Sequence, residues 1–195
     1  MPAPSSPSRP ALFFDRDGVV NASPGPGYVN RLADFRILPG FIDCVRIATG
    51  RGWPCVVVTN QRGVSRGLTP PAELDAMHAL LRRTLAGAGL SLLDLLVCTA
   101  ADDSHPDRKP NPGLLLTAAA RHDLDLSRSW MIGDREKDVE TGRRAGVAVT
   151  VRLDDDGTGA NPDKDKPTAA THRVADIAAC ADLLRRRLPD LRAAP

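Results

Sequence analysis

Aromatic residues make up only 4% of the 195-residue chain, with one tyrosine, two tryptophans and four phenylalanines. Basic residues interleaved with aromatics, the usual mark of a nucleic-acid-binding stripe, are missing, so no nucleic-acid partner is expected. Charge of either sign is also lacking in excess. The 26 lysines and arginines nearly cancel the 24 acids, giving a formal net charge of +2 and no strong steering field. The run Arg185 to Arg187 reads as a solvated helix face. The four cysteines, Cys44, Cys55, Cys98 and Cys180, include no CxxC pair, and three lie within apolar stretches. Reduced, buried thiols in a reducing cytoplasm are the expectation. No apolar run approaches the roughly 20 residues of a membrane span. The opening MPAPSSPSRP has neither the basic nor the apolar region of a signal peptide. It reads as a disordered lead over 1–10, with the protein staying in the cytoplasm where it is made.

What is present fits one domain over 11–190. Apolar, strand-like runs occur at 11–15, 54–59, 92–98, 129–133 and 147–151. Helical apolar spacing occupies 40–50, 71–86, 112–121, 136–145 and 176–188. Pro39-Gly40, Thr69-Pro70-Pro71 and Asn111-Pro112 mark helix starts, and Gly50 marks an end. Short apolar strands alternating with amphipathic helices predict a doubly wound, mainly parallel α/β sheet, because a parallel connection needs a crossover. The Pro- and Gly-rich stretch 22–38 contains Tyr28 and Phe35 and reads as an ordered loop or flap. The polar stretch 154–170 reads as a mobile loop. Neither 41–58 nor 60–108 has room for a cap domain, so the site should be open. A monomer is the default expectation.

In an open parallel sheet, ligands bind beyond the carboxyl ends of the strands. The first run ends in Asp15-Arg16-Asp17-Gly18, the second in Thr59-Asn60-Gln61 and the fourth in Gly133-Asp134. The third leads to Arg108-Lys109-Pro110-Asn111-Pro112. Two aspartates alone could form a turn or a cap. With a hydroxyl, an amide, a lysine and a third carboxylate on the same rim, phosphoryl chemistry is the better reading. Asp15 would attack phosphorus, and Asp17 would give a proton to the leaving oxygen and later take one from water. A carboxylate attacking a phosphate dianion needs a screening cation, so Asp15, Asp17 and Asp134 are candidates to hold Mg²⁺. Lys109, Thr59 and Asn60 would bind phosphoryl oxygens. Asp138 would support Lys109, or would be a surface i,i+4 partner. Arg62 and Arg66 could equally solvate a loop.

The stretches FFDRDGVVN, VVVTNQRG, RKPNPG and GDREKDVETG together resemble the four motifs of the haloacid dehalogenase (HAD) superfamily of aspartyl-phosphate phosphohydrolases, over about 11–151. The resemblance implies Asp15 as nucleophile and Asp17 as acid/base. It implies Mg²⁺ held by Asp15, the Asp17 carbonyl and Asp134. Within that superfamily GYVN, DFRILPG, TNQRGVSRG and RKPNPGLLL look most like the D-glycero-D-manno-heptose-1,7-bisphosphate 7-phosphatases. The histidinol-phosphate phosphatases are a nearer alternative than the polynucleotide 3′-phosphatases or a non-catalytic binding module of the same fold. The resemblance places Gly27, Tyr28, Thr59, Asn60, Gln61, Arg62, Arg108 and Arg135 towards a phosphorylated sugar. Arg135 stands where those enzymes usually have lysine. They also usually carry a CxH and CxC zinc loop. Here its four places hold Cys98, Ala100, His105 and Asp107, and no zinc is expected from so incomplete a set.

Overall fold

The computed structural model describes residues 8–158 and 161–193. Most of the expected lead at 1–10 lies outside the described residues. Six strands form one parallel sheet: β1 (Leu12–Phe14), β2 (Cys55–Asn60), β3 (Asp94–Cys98), β4 (Trp130–Gly133), β5 (Val149–Leu153) and β6 (His172–Val174). The helices are α1 (Pro39–Gly50), α2 (Arg62–Ser65), α3 (Pro71–Gly87), α4 (Gly113–His122), α5 (Glu136–Ala145) and α6 (Ile177–Arg187). The five expected strands and five expected helices are all present, with ends displaced by at most two residues. β6 and the one-turn α2 were not anticipated.

Alternation along β1 decides which layer each side chain joins. Leu12 and Phe14 point into the larger core, with Phe41 and Val45 of α1, Met77 and Leu81 of α3, and Cys180 and Leu184 of α6. Phe13 points the other way, onto Met131, Val56 and the α4 residues Leu115 and Ala118. The Phe14 and Phe41 rings meet edge to face at 5.3 Å between centroids. A strand buried on both faces has no polar positions to spare, which is why β1 and β2 read as unbroken apolar runs.

Strand order is β3-β2-β1-β4-β5-β6. The chain winds outward from β1 to β3, then returns to lay β4 against the free side of β1, pairing Phe13 with Met131 and Phe14 with Ile132. That reversal is the topological switch point, so the crevice opens beyond the ends of β1 and β4. Loop 22–38 is fastened beside it by Ala22 N–H to Arg36 O and Leu38 N–H to Val20 O. Loop 154–170 contains no helix or strand among its described residues, but it is tied inward. Buried Arg152 of β5 donates to the carbonyls of Lys164, Lys166 and Pro167. Asn161 donates to Asp134 O and Leu153 O. Among the described residues no helix is long and apolar enough to cross a membrane.

Candidate active site

The end of β1 is sewn to β4 by Asp15 N–H donating to Ile132 O at 2.9 Å. Two glycines then let the chain close over the seam. Gly18 has φ +86°, and a Cβ there would lie 2.5 Å from Asp134 Oδ2. A Cβ on Gly133 would lie 2.2 Å from Cβ of Asp138, so only glycine permits the first turn of α5 to sit on the strand end. The result brings carboxylate oxygens of Asp15, Asp134 and Asp138 within 4.8 Å of one another. Lys109 Nζ lies 2.5 Å from Asp15 Oδ1 and 2.7 Å from Asp138 Oδ1. Asn60 delivers that lysine: its Nδ2 donates to Lys109 O, and its Oδ1 accepts from Lys109 N–H.

Three buried carboxylates facing one ammonium and one guanidinium leave the group short of positive charge. Burial raises the Asp15 carboxyl above its ordinary value, with Lys109 opposing. Burial, then Asp138 and Asp15, drive Asp134 well above its ordinary value. Lys109 is itself raised, because its two carboxylates outweigh the burial that would lower it. Asp134 Oδ1 is buried with no hydrogen-bond partner among the described residues, although Oδ2 accepts from Arg135 Nε at 3.1 Å. Both Asp138 oxygens are engaged, one by Lys109 and the other by Arg135 N–H. An unpartnered carboxylate oxygen beside a second carboxylate fits a hard divalent cation that takes oxygen ligands. Cys98, Ala100, His105 and Asp107, at the four places of the zinc loop, do not make a four-ligand zinc set. Ala100 has no side-chain donor atom, and His105 Nδ1, 3.9 Å from Cys98 Sγ, already accepts the Asp107 N–H.

Asp17 meets different surroundings. Its Oδ1 accepts from Arg16 Nε at 3.2 Å, Arg16 Nη2 at 3.0 Å and Asn21 Nδ2 at 2.9 Å. Its Oδ2 accepts from Arg16 Nη2 at 3.1 Å and Gln61 Nε2 at 2.9 Å. Burial pushes its carboxyl up, but Arg16, Asn21 and Gln61 outweigh burial and hold it below the ordinary value. Gln61 Nε2 also donates to Thr59 Oγ1 at 2.8 Å, fixing that hydroxyl beside the two aspartates.

Between these groups lies a cleft of about 120 Å³. It is lined by Asp15, Asp17, Asn60 and Asp134, by Ser23, Gly27 and Tyr28 of the 22–38 loop, and by Arg135 and Lys137. Most of the sequence-derived set therefore meets here, with Lys109 and Asp138 directly beneath. Arg62 and Arg108 do not line the cleft. Both are drawn to Asp103, at 3.7 and 2.7 Å, and donate to the carbonyls of Ala101 and Ala100. Arg66 reaches Tyr28 Oη at 3.3 Å. Sequence reasoning missed Ser23 and Lys137 in the lining and Asn161 behind Asp134. For Lys137 the spacing from Asp134 was a usable signal, since it falls in the first turn of a helix starting at the rim. For Asn161 there was none.

The HAD-hydrolase-like family model matches residues 107–180. A D-glycero-D-manno-heptose-1,7-bisphosphate 7-phosphatase from Thermosynechococcus vestitus is 40% identical over 151 residues, covering 71% of this chain and 76% of the relative. A D-glycero-beta-D-manno-heptose-1,7-bisphosphate 7-phosphatase from Mesorhizobium japonicum is 32% identical over 92% of this chain and 86% of its own length. Among solved structures, a D,D-heptose 1,7-bisphosphate phosphatase from B. bronchiseptica, complexed with magnesium and phosphate, superposes with a TM-score of 0.80. It is 30% identical, over 91% of this chain and 98% of that one.

Proposed function

We infer that this chain, which belongs to the D-glycero-D-manno-heptose-1,7-bisphosphate 7-phosphatase family of HAD-like hydrolases, removes the C7 phosphate of that sugar bisphosphate. It is a phosphoric monoester hydrolase. The observation that carries the reading is the pair Asp15 and Asp17, two residues apart at one strand end, both lining one cleft with Asp134, with Lys109 paired to Asp15.

Asp15 attacks phosphorus as the bond to the C7 oxygen breaks, giving an aspartyl-phosphate. Asp17 supplies the proton that the departing alkoxide needs. It rests as a carboxylate, and the incoming phosphate's negative charge raises its proton affinity enough for it to act as donor. Water then attacks phosphorus, Asp17 takes its proton, and the bond to Asp15 breaks to release inorganic phosphate. Lys109 and the Thr59 hydroxyl hold phosphoryl oxygens as charge shifts between them. Asp15, Asp134 and the Asp17 carbonyl would hold Mg²⁺, which when bound screens the dianion from its carboxylate nucleophile. Asp138 keeps Lys109 oriented. Gly27, Tyr28 and Arg135 face the sugar, and Lys137 adds positive charge to the same cleft. The four cysteines are unpaired and buried, which accords with a cytoplasmic enzyme.

The test is phosphate release with Mg²⁺ from both anomers of the heptose bisphosphate, fructose 1,6-bisphosphate, histidinol phosphate and a 3′-phosphorylated oligonucleotide. Preference for a heptose anomer by tenfold or more in kcat/KM is expected. Preference for histidinol phosphate or the oligonucleotide would replace the substrate assignment and keep the reaction.

A further inference from the structure

Arg16 stands between the two aspartates, yet it has no exposed surface. A buried guanidinium costs several kcal/mol unless its charge and donors are matched, and a turn alone does not require one. Its partners come from three parts of the chain. Nε and Nη2 fork across both oxygens of Asp17. Nη1 lies 3.4 Å from Nε2 of His78, on α3. The guanidinium carbon sits 5.6 Å from the centre of the Phe35 ring, in the loop that covers the cleft. The main chain at Arg16 is equally committed, its carbonyl accepting from Val19, Val20 and Asn21 N–H. Asn21 and Gln61 each give Asp17 a single bond. Arg16 alone spans both oxygens, and a planar fork on a carboxylate fixes orientation as well as distance.

We propose that Arg16 is the positioning residue of Asp17, holding its carboxylate in the orientation from which it passes a proton to the leaving oxygen and takes one back from water. His78 and Phe35 in turn hold Arg16, so the packing of α3 and of the covering loop sets where that proton transfer occurs. The proposal rests on Asp17 being the acid/base. It does not depend on which sugar phosphate is the substrate.

The leaving group separates positioning from general support of the fold. An alkyl oxygen needs a proton to depart, while p-nitrophenolate does not. The value of kcat/KM covers only the steps up to that departure, and hydrolysis of the phosphoenzyme follows it. For Arg16→Met, kcat/KM on the best alkyl phosphate of the wild type should fall by about 100-fold, within the range of lost acid/base catalysis. On p-nitrophenyl phosphate it should fall by less than about fivefold. The same variant should release a burst of p-nitrophenol followed by a slow steady state, because the water that clears the phosphoenzyme has lost its base. Arg16→Lys keeps the charge without the fork, and it should show the same asymmetry with about a tenfold smaller loss. It carries the test if the methionine variant fails to fold. Equal losses on both substrates, with no burst, in a variant whose circular dichroism matches the wild type, would overturn the proposal. A wild type that prefers another alkyl phosphate changes the substrate assignment and leaves this comparison intact.

Discussion

On the β4 side of the cleft Asp15 and Asp138 share Lys109 while Asp134 pairs with Arg135, three buried carboxylates to two cations, whereas on the β2 side one carboxylate has an arginine and two amides to itself. The first group is short of positive charge and holds a carboxylate oxygen, Asp134 Oδ1, without a hydrogen-bond partner among the described residues. The second is saturated, with donors on both oxygens. Two aspartates only two residues apart on one strand end therefore meet different surroundings because of what the rest of the fold brings to each. The carboxylate-rich side is the one that a cation would complete, while the other is already matched within the chain.

The comparison breaks most severely at Asp15, the proposed nucleophile. Asp15→Asn should lower turnover by at least about 10⁴-fold, the scale of losing an attacking group, while circular dichroism stays that of the wild type. Retained hydrolysis would remove Asp15 from the mechanism.

Asp134→Asn tests the deficit itself and should act with opposite signs on activity and stability. Activity should fall by about 10²-fold or more through lost Mg²⁺ affinity, read by isothermal titration as well as by turnover. The metal-free protein should melt about 2–4 °C higher at pH 7, because about 1 kcal/mol of carboxylate repulsion is relieved. The raised carboxyl of Asp134 gives the sign. A folded state that binds its proton more tightly than the unfolded chain loses stability as pH rises above the ordinary carboxylate value, so the gain should vanish towards pH 4. A lower melting temperature at pH 7 would mean that the cluster is not strained without metal.

On the saturated side, Gln61→Met removes one donor from Asp17 and one from Thr59 but leaves Arg16 in place. A loss of about tenfold in kcat/KM is expected, and a loss matching that of Arg16→Met would mean that the three donors are equivalent. The smallest effect belongs to His78. Burial, then Arg16, lowers its pKa to about 4. The folded state refuses a proton that the unfolded chain accepts, so this group withdraws stability as pH falls from 6.5 to about 4. His78→Gln should flatten that slope in thermal melts, by about 1–3 kcal/mol at its lower end. An unchanged slope would place the titration elsewhere.

Legibility in the sequence followed the same division. The strands and four motifs could be read because fully buried strands are continuous apolar runs and their ends are marked by Asp, Thr and Gly. The sheet's last strand could not be: His172–Val174 is three residues long, with a pattern no different from a turn, and it exists only because β5 offers a free edge. Asn161 lies in a stretch whose composition reads as solvated, and its value comes from two carbonyls that the sheet places within its reach. Motif position turns Arg62 and Arg108 towards substrate, and the exposed carboxylate of Asp103 lies 3.7 and 2.7 Å from them, a loop pairing that periodicity does not report.

The seam between β1 and β4 also bears on how the protein is made. Ala11 N–H donates to Ser129 Oγ across 118 positions of chain, and β1 has β2 on its other side. During synthesis β1 can pair with β2 early, but its other edge stays open until β4 has emerged. Asp15 and Asp134 come together only at that late, high-contact-order step. The carboxylate cluster is therefore assembled only after most of the chain has been translated.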